Sequence, residues 1–261
     1  TQGGTYDIIR AICMAAEELR SPVILAHYVS TGGYSGHDWF VNVCKWCADK
    51  VSVPVAIHLD HGDGFEICME ALKLGFTSLM IDGSTKPIEE NAAMTNQVLD
   101  VARCFGVPVE AEIGELLRLD NMGAVMENKN IVDPEEVRRF LSLCCPDSLA
   151  IGIGNAHGYY KGEPDIHLEV LKAVRDFTHI PLVLHGCTGM REDIIKEAIK
   201  LGVAKINFGT EIRYKYVEHY EEGLKTMNHQ GHSWKLSQFA NEKLQEDVKK
   251  IIRLAGSDNK A

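Results

Sequence analysis

One alternation runs the length of this chain: a short apolar run, a glycine-rich or polar tip, then a helical pattern. The apolar runs are 22–28, 53–60, 78–83, 108–114, 148–154, 181–186 and 203–210. They are rich in β-branched residues and almost continuously apolar, as strands covered on both faces of a parallel sheet must be. Between them, apolar positions recur with helical spacing over 6–20, 36–50, 65–74, 88–105, 133–143, 166–177, 191–201 and 211–228. Asp133-Pro134-Glu135-Glu136 supplies the N-cap, the proline at N1 and the early acids of a helix start. Gly75, Gly106 and Gly202 each follow a helical run, where a left-handed C-cap is expected.

This order predicts an α/β fold, a (β/α)8 TIM barrel forming one domain over 1–261. The count is seven strands and eight helices, and it opens on a helix. A closed barrel needs one more strand ahead of that helix, so the N-terminus reads as incomplete and the first strand is expected before Thr1. An open seven-stranded sheet is the alternative. The stretch 233–254 reads as one or two extra helices after the barrel.

Composition narrows the function classes. A formal net charge of −10 argues against a broad nucleic-acid surface, though not against a locally positive pocket for a phosphorylated small molecule. No apolar run approaches the roughly 20 residues that span a bilayer, and no secretory signal is visible, so no membrane partner is expected. Of the eight cysteines, only Cys44 and Cys47 form a CxxC, and no second CxxC pairs with it. Reduced, buried thiols in a cytoplasmic protein are the expectation.

In a barrel the chemistry sits where strands end. One strand ends His58-Leu59-Asp60-His61-Gly62. Period two puts His58 and Asp60 on one face, so Asp60 and His61 reach the mouth together only if the chain turns at His61. Another end reads Asn155-Ala156-His157-Gly158, with Lys161 just beyond, and a third reads His185-Gly186-Cys187-Thr188-Gly189. A lone histidine at a strand end is more often a packing residue than a ligand. Three at strand ends, each followed by glycine, form the set that a catalytic zinc with an open fourth position requires. The tips Gly186-Cys187-Thr188-Gly189 and Asn207-Phe208-Gly209-Thr210 occupy the usual phosphate site of such barrels, and Lys161 and Arg213 offer positive charge.

Eight stretches together resemble the class II fructose-bisphosphate and tagatose-bisphosphate aldolases. They are AAEELRSPVIL at 15–25, HLDHG at 58–62, GFTSLMIDGS at 75–84, EEN at 89–91, VEAEIG at 109–114, IGIGNAHGYYKGEP at 151–164, PLVLHGCTG at 181–189 and LGVAKINFGTE at 201–211. The resemblance implies reversible cleavage of a ketose phosphate, as in glycolysis, into dihydroxyacetone phosphate and an aldehyde. It implies that His61, His157 and His185 bind Zn2+, which stabilises the enediolate, and that Asp60 exchanges the proton of the hydroxyl that becomes the aldehyde. Asp82 and Glu112 match residues able to hold a second metal ion or the displaced first one. The dihydroxyacetone phosphate half would lie on Gly158, on Gly186, Cys187 and Thr188, and on Asn207, Phe208, Gly209 and Thr210, with Lys161 beside the phosphate. A monovalent cation (Na+ or K+) and a homodimer or homotetramer are also implied.

The chain departs from the family pattern in three places. Gly186-Cys187-Thr188 stands for the usual Gly-Gly-Ser. Leu117-Arg118-Leu119-Asp120 stands for a pair of glycines followed by an acid that moves the substrate proton, which makes Asp120 the aligned acid. Arg118 there is either a solvated loop residue or a contact for an anionic aldehyde. Gly209, followed by Thr210-Glu211, replaces the Asp of fructose-type enzymes and leans toward the tagatose type. Two other readings compete. A metal-dependent hydrolase would want His-x-His on its first strand, and a non-catalytic sugar-phosphate binder would be expected to have lost Asp60 or one of the histidines.

Overall fold

Strand pairing follows chain order. The structure, a computed structural model, describes residues 4–118, 131–160, 162–227 and 232–261. Its strands are β1 (Val23–Tyr28), β2 (Val55–Gly62), β3 (Ser78–Ile81), β4 (Val109–Ile113), β5 (Leu117–Arg118), β6 (Ser148–Ile151), β7 (Ala156–His157), β8 (Leu182–Leu184) and β9 (Val203–Ile206). Seven of them form one parallel sheet in the order β1-β2-β3-β4-β6-β8-β9, one for each apolar run, and β5 and β7 form a two-stranded parallel pair above it.

The helices between them are α1 (Tyr6–Glu18), α2 (Gly32–Ser35), α3 (His37–Ala48), α4 (Phe65–Leu74), α5 (Ile88–Ala102), α6 (Pro134–Leu143), α7 (Leu168–Arg175), α8 (Glu192–Lys200), α9 (Thr210–Thr226) and α10 (Ser233–Ala255). The expected helix starts and stops are present. Asp133 accepts from Glu135 N at 2.9 Å with Pro134 in the first turn, and Gly75, Gly106 and Gly202 all have positive φ.

The sheet is strongly curled. In a flat sheet β2 and β9 would lie five strand spacings apart, roughly 24 Å. Here Lys205 Nζ on β9 stands 3.4 Å from His58 Nε2 on β2. The curled sheet carries its helices outside, where Ile9, Ile12, Phe40, Leu99, Phe140, Leu171 and Ile195 are fully buried. β1 and β9 are its edges, and the eighth strand of a closed barrel is not among the described residues.

The segment after α9 is one long helix rather than two. α10 lies on α1 and α9 and is fixed to α1 by polar contacts: Arg10 Nη1 donates to Asn241 Oδ1 at 2.7 Å, and Lys249 pairs with Glu18 as well as with Glu246 on its own helix. The backbone of Asn259 then donates to Leu19 O at 2.9 Å, closing the end of α1. No described helix is long and apolar enough to cross a membrane.

Candidate functional site

The strand β2 delivers two neighbouring polar residues to one place by breaking its own alternation. Between Leu59 and Gly62 it advances three residues while β3 advances two, from Leu79 to Ile81. The extra residue is a bulge, and His61 occupies it in the left-handed region at φ +53°. That conformation costs a histidine of order 1 kcal/mol or more. The anticipated turn thus falls on His61 itself. Gly62 serves by lacking a Cβ, which would meet Met80 O at 2.6 Å. The His61 backbone N–H donates to Met80 Sδ at 3.4 Å, so β3 supports the strained residue from below.

The three expected imidazoles converge. One ligand atom from each of His61, His157 and His185 can be chosen so that all lie within 4.8 Å of one another, and the ring centroids are 4.9, 5.0 and 5.8 Å apart. A second group with the same property joins His61 to Asp82 and Glu112. His61 Nδ1 donates to Asp82 Oδ2 at 2.7 Å, which leaves Nε2 as the ring atom a metal could take once it is deprotonated. Among the described residues, His61 Nε2 and both Glu112 carboxylate oxygens are buried without a hydrogen-bond partner. Buried polar atoms left that way are costly and call for a bound group.

Electrostatics point to a cation. Burial favours a neutral His61, yet Asp60, Asp82 and Glu112 outweigh it and raise its pKa to about 10. Glu112 is pushed up to about 8 by burial and then by Asp82. Burial would raise Asp60 too, but His61, His185, Lys205 and His58 hold it well below the usual carboxylate range. A largely buried set of imidazole and carboxylate donors suits a divalent ion such as zinc.

Beneath this cluster lies a polar layer. Lys205 Nζ donates to Glu110 Oε2 at 2.8 Å, and Glu110 Oε1 accepts from His185 Nε2 at 2.8 Å. His58 Nδ1 is 2.8 Å from Ser78 Oγ. His58, Glu110 and His185 are buried completely or nearly so. Asn207 Nδ2 reaches both Asp60 Oδ1, at 3.4 Å, and the His185 ring, at 3.2 Å from Nδ1.

The tips after β7, β8 and β9 are tied to one another. The Tyr160 hydroxyl accepts from Ala156 N at 2.8 Å and lies 2.9 Å from Gly186 O, and Asn155 Nδ2 donates to His185 O at 2.9 Å. A Cβ on Gly186, which has φ +68°, would stand 2.3 Å from Ala156 O. Cys187 is buried, its thiol 3.4 Å from Leu184 O and its backbone N–H given to Asn207 O, so both its polar groups serve the loop itself. The Thr188 hydroxyl accepts from Glu211 N at 3.2 Å and caps the start of α9. Phe208 is a core residue, Gly209 precedes α9, Thr210 begins it, and Arg213 Nη2 donates to Thr210 Oγ1 at 3.3 Å. Gly158, at φ +113°, follows His157 directly.

The structure therefore brings together Asp60, His61, Asp82, Glu112, His157, His185 and Asn207. Asp120 and Lys161 lie outside the described residues. Leu117 and Arg118, expected in an open loop, instead pair in register with Ala156 and His157. Sequence reasoning passed over Glu110 and Lys205. Each stands two residues before a recognised site residue, as His58 does before Asp60, so strand periodicity places all three on the interior face one layer deeper.

Comparison with known proteins agrees with this geometry. The family model described as fructose-bisphosphate aldolase class-II matches residues 4–260. The fructose-bisphosphate aldolase of Geobacillus stearothermophilus is 43% identical over 218 residues, covering 82% of this chain and 76% of that protein. A Bacillus subtilis (strain 168) protein named "Probable fructose-bisphosphate aldolase" is 40% identical over 258 residues, covering 98% of this chain and 90% of its own. The crystal structure of the YdjI aldolase from Escherichia coli K12 aligns with a TM-score of 0.87 at 33% identity, covering 100% of this chain and 91% of that one. The chain belongs to the class II fructose-bisphosphate aldolase family and is an enzyme, a carbon–carbon lyase.

Proposed function

We propose that the chain is a zinc-dependent aldolase that reversibly cleaves a ketose 1-phosphate or 1,6-bisphosphate into dihydroxyacetone phosphate and an aldehyde. The observation that carries the reading is the convergence of His61, His157 and His185 beside the buried Asp60 carboxylate. Class II aldolases are metal-dependent, and His61, His157 and His185 would hold the ion, with Asp82 and Glu112 as its alternative or second position. When bound, zinc supplies Lewis-acid stabilisation of negative charge developing on substrate oxygens.

The chain's own residues do the rest. Asp60 is held ionised by its cationic surroundings, so in the cleavage direction it is ready to accept the proton of the hydroxyl that becomes the aldehyde. In the condensation direction it returns that proton to the new alkoxide. Asn207, within 3.4 Å of Asp60 and 3.2 Å of His185, orients the reacting oxygens between them. Gly158, the tip from Gly186 to Thr188, and the tip from Asn207 to Thr210 hold the phosphate with backbone donors. Arg213, half-buried with its pKa lowered by burial, supplies charge at the same mouth. Asp120 and Lys161 keep the roles that the family resemblance gives them.

Gly209, where fructose-type enzymes carry Asp, and the Leu117-Arg118 segment are the two departures that favour an altered aldehyde preference and tagatose-like stereochemistry. All eight cysteines are free thiols, consistent with a cytoplasmic location. The expectations of a homodimer or homotetramer and of a monovalent cation rest on the family resemblance. The test is a retro-aldol panel of ketose 1-phosphates and 1,6-bisphosphates, with zinc supplied or chelated. Activity that survives complete chelation, or that borohydride and substrate abolish, contradicts the reading.

A further inference from the structure

The polar layer under the metal cluster is a single oriented hydrogen-bond chain, and its direction is forced. Lysine can only donate and a carboxylate only accepts. Lys205 Nζ donates to Glu110 Oε2 at 2.8 Å, so Oε1 is left for His185 Nε2, also at 2.8 Å, and the His185 proton must lie on Nε2. At the other end Lys205 Nζ is 3.4 Å from His58 Nε2, which must accept, so the His58 proton lies on Nδ1 and goes to Ser78 Oγ at 2.8 Å. The chain runs across β2, β3, β4 and β9 to the tip of β8, and it ends on the Nδ1 lone pair of His185, which faces Asn207 Nδ2 at 3.2 Å.

We propose that Lys205 is a positioning residue of the metal centre, acting through Glu110 to aim His185 Nδ1 at the ion. The inference rests on the metal-dependent reading given above and deepens it. Glu110 has two oxygens on a flexible side chain, and Lys205 occupies one of them. The other is thereby fixed on His185, whose ring cannot flip without breaking a buried charge-assisted bond. A carboxylate behind a ligating imidazole also raises its donor strength. Lys205 compensates the charge of that carboxylate from within the layer, its Nζ set between Glu110 Oε2 at 2.8 Å and His58 Nε2 at 3.4 Å.

The test compares zinc dissociation constants, the visible spectrum of the Co2+-loaded protein and thermal midpoints for wild type, Lys205→Met, Lys205→Met/Glu110→Gln and Lys249→Met. Lys249 is a buried lysine of the α1–α10 contact, so its variant measures what destabilisation alone does. Lys205→Met is expected to weaken zinc binding 10–100-fold and to shift the cobalt bands. The double variant removes both buried charges; it should regain thermal stability and still bind zinc at least about tenfold more weakly than wild type. Lys249→Met should melt earlier with zinc affinity unchanged. Wild-type zinc affinity and cobalt spectrum in either Lys205 variant would overturn the proposal. So would a crystal structure of the zinc-loaded wild type with the ion on His185 Nε2 or Lys205 turned away from Glu110, a measurement that needs no variant to fold. A wild type that binds no divalent ion would refute the functional reading itself, a separate outcome.

Discussion

Zinc loading is expected to expel a proton from His61. In the metal-free protein that ring is raised from 6.5 to about 10, burial opposing the shift and Asp60, Asp82 and Glu112 driving it. At pH 7 the ring lies about three units below its pKa, so freeing Nε2 for a metal costs roughly 4 kcal/mol at 1.36 kcal/mol per unit. Apparent zinc affinity should therefore rise about tenfold per pH unit from pH 7 to 8.5. Stability without metal moves the other way. His61 and Glu112 both have folded values above their unfolded ones, about 10 against 6.5 and about 8 against 4.5. Their contributions are full below the unfolded values and are lost as pH rises through the folded ones. The melting temperature of the metal-free enzyme should therefore decline between pH 5 and pH 9 relative to that of the zinc-loaded enzyme. Calorimetric zinc titrations in two buffers of different ionisation enthalpy, repeated across this range with a competing chelator, count the protons directly. A pH-independent affinity with no buffer-dependent heat would refute the argument that a protonated His61 replaces the metal.

Asp60→Asn should bind zinc and dihydroxyacetone phosphate nearly as wild type does and lose 10²–10⁴-fold in turnover, on the order expected for removal of a general acid–base group; unchanged kcat would remove Asp60 from that role. Gly186→Ala places a Cβ 2.3 Å from Ala156 O at φ +68°, so urea unfolding should show a loss of at least about 2 kcal/mol, and a variant as stable as wild type would mean that the β7 and β8 tips yield freely. The wild type should prefer fructose 1,6-bisphosphate over the tagatose epimer by less than 100-fold in kcat/KM, about 2.7 kcal/mol, and Gly209→Asp should shift the ratio toward fructose. A strong fructose preference with Gly209 in place would show that this position does not set the stereochemistry.

The strands were legible because their burial on two faces writes a continuous apolar run, and the helices because theirs writes a stripe. Boundaries slipped where a backbone leaves the sheet while its side chains keep alternating. The run 203–210 reads as one strand, yet β9 ends at Ile206 because the chain turns at the N-cap Gly209 into α9, which begins at Thr210. β2 continues to Gly62, two residues past the expected end, carried by the His61 bulge. The two-residue strands β5 and β7 and the four-residue helix α2 are too short for any periodicity to register. The metal cluster could be anticipated because histidine is conspicuous at strand ends. The layer of Lys205, Glu110 and His58 could not, since charged residues inside a strand suggest an exposed edge until the curl of the sheet shows that they meet each other. The second job of Thr188, capping α9, was equally invisible, because a hydroxyl has the same sequence signature whether it binds a substrate or a backbone.

The bonds between the tips of β8 and β9 have a consequence for which molecules can be substrates at all. Asn207 N donates to Leu184 O at 2.9 Å, Cys187 N to Asn207 O at 3.4 Å, and Glu211 N to Thr188 Oγ1 at 3.2 Å. His185 sits inside the same braid, so on the proposed assignment the grip on the anion and the grip on the reacting oxygens are tied together. The pair works as a fixed caliper. It is expected to measure one distance from a phosphate to the carbon beside the cleaved bond and to disfavour ketoses in which that distance is longer or shorter. Diversification of the enzyme is then confined to the far jaw, where chain length, charge and stereochemistry of the aldehyde can change without touching the machinery. A competitive inhibitor faces the same gauge, and has to present an anion and a pair of metal-seeking oxygens at that single separation.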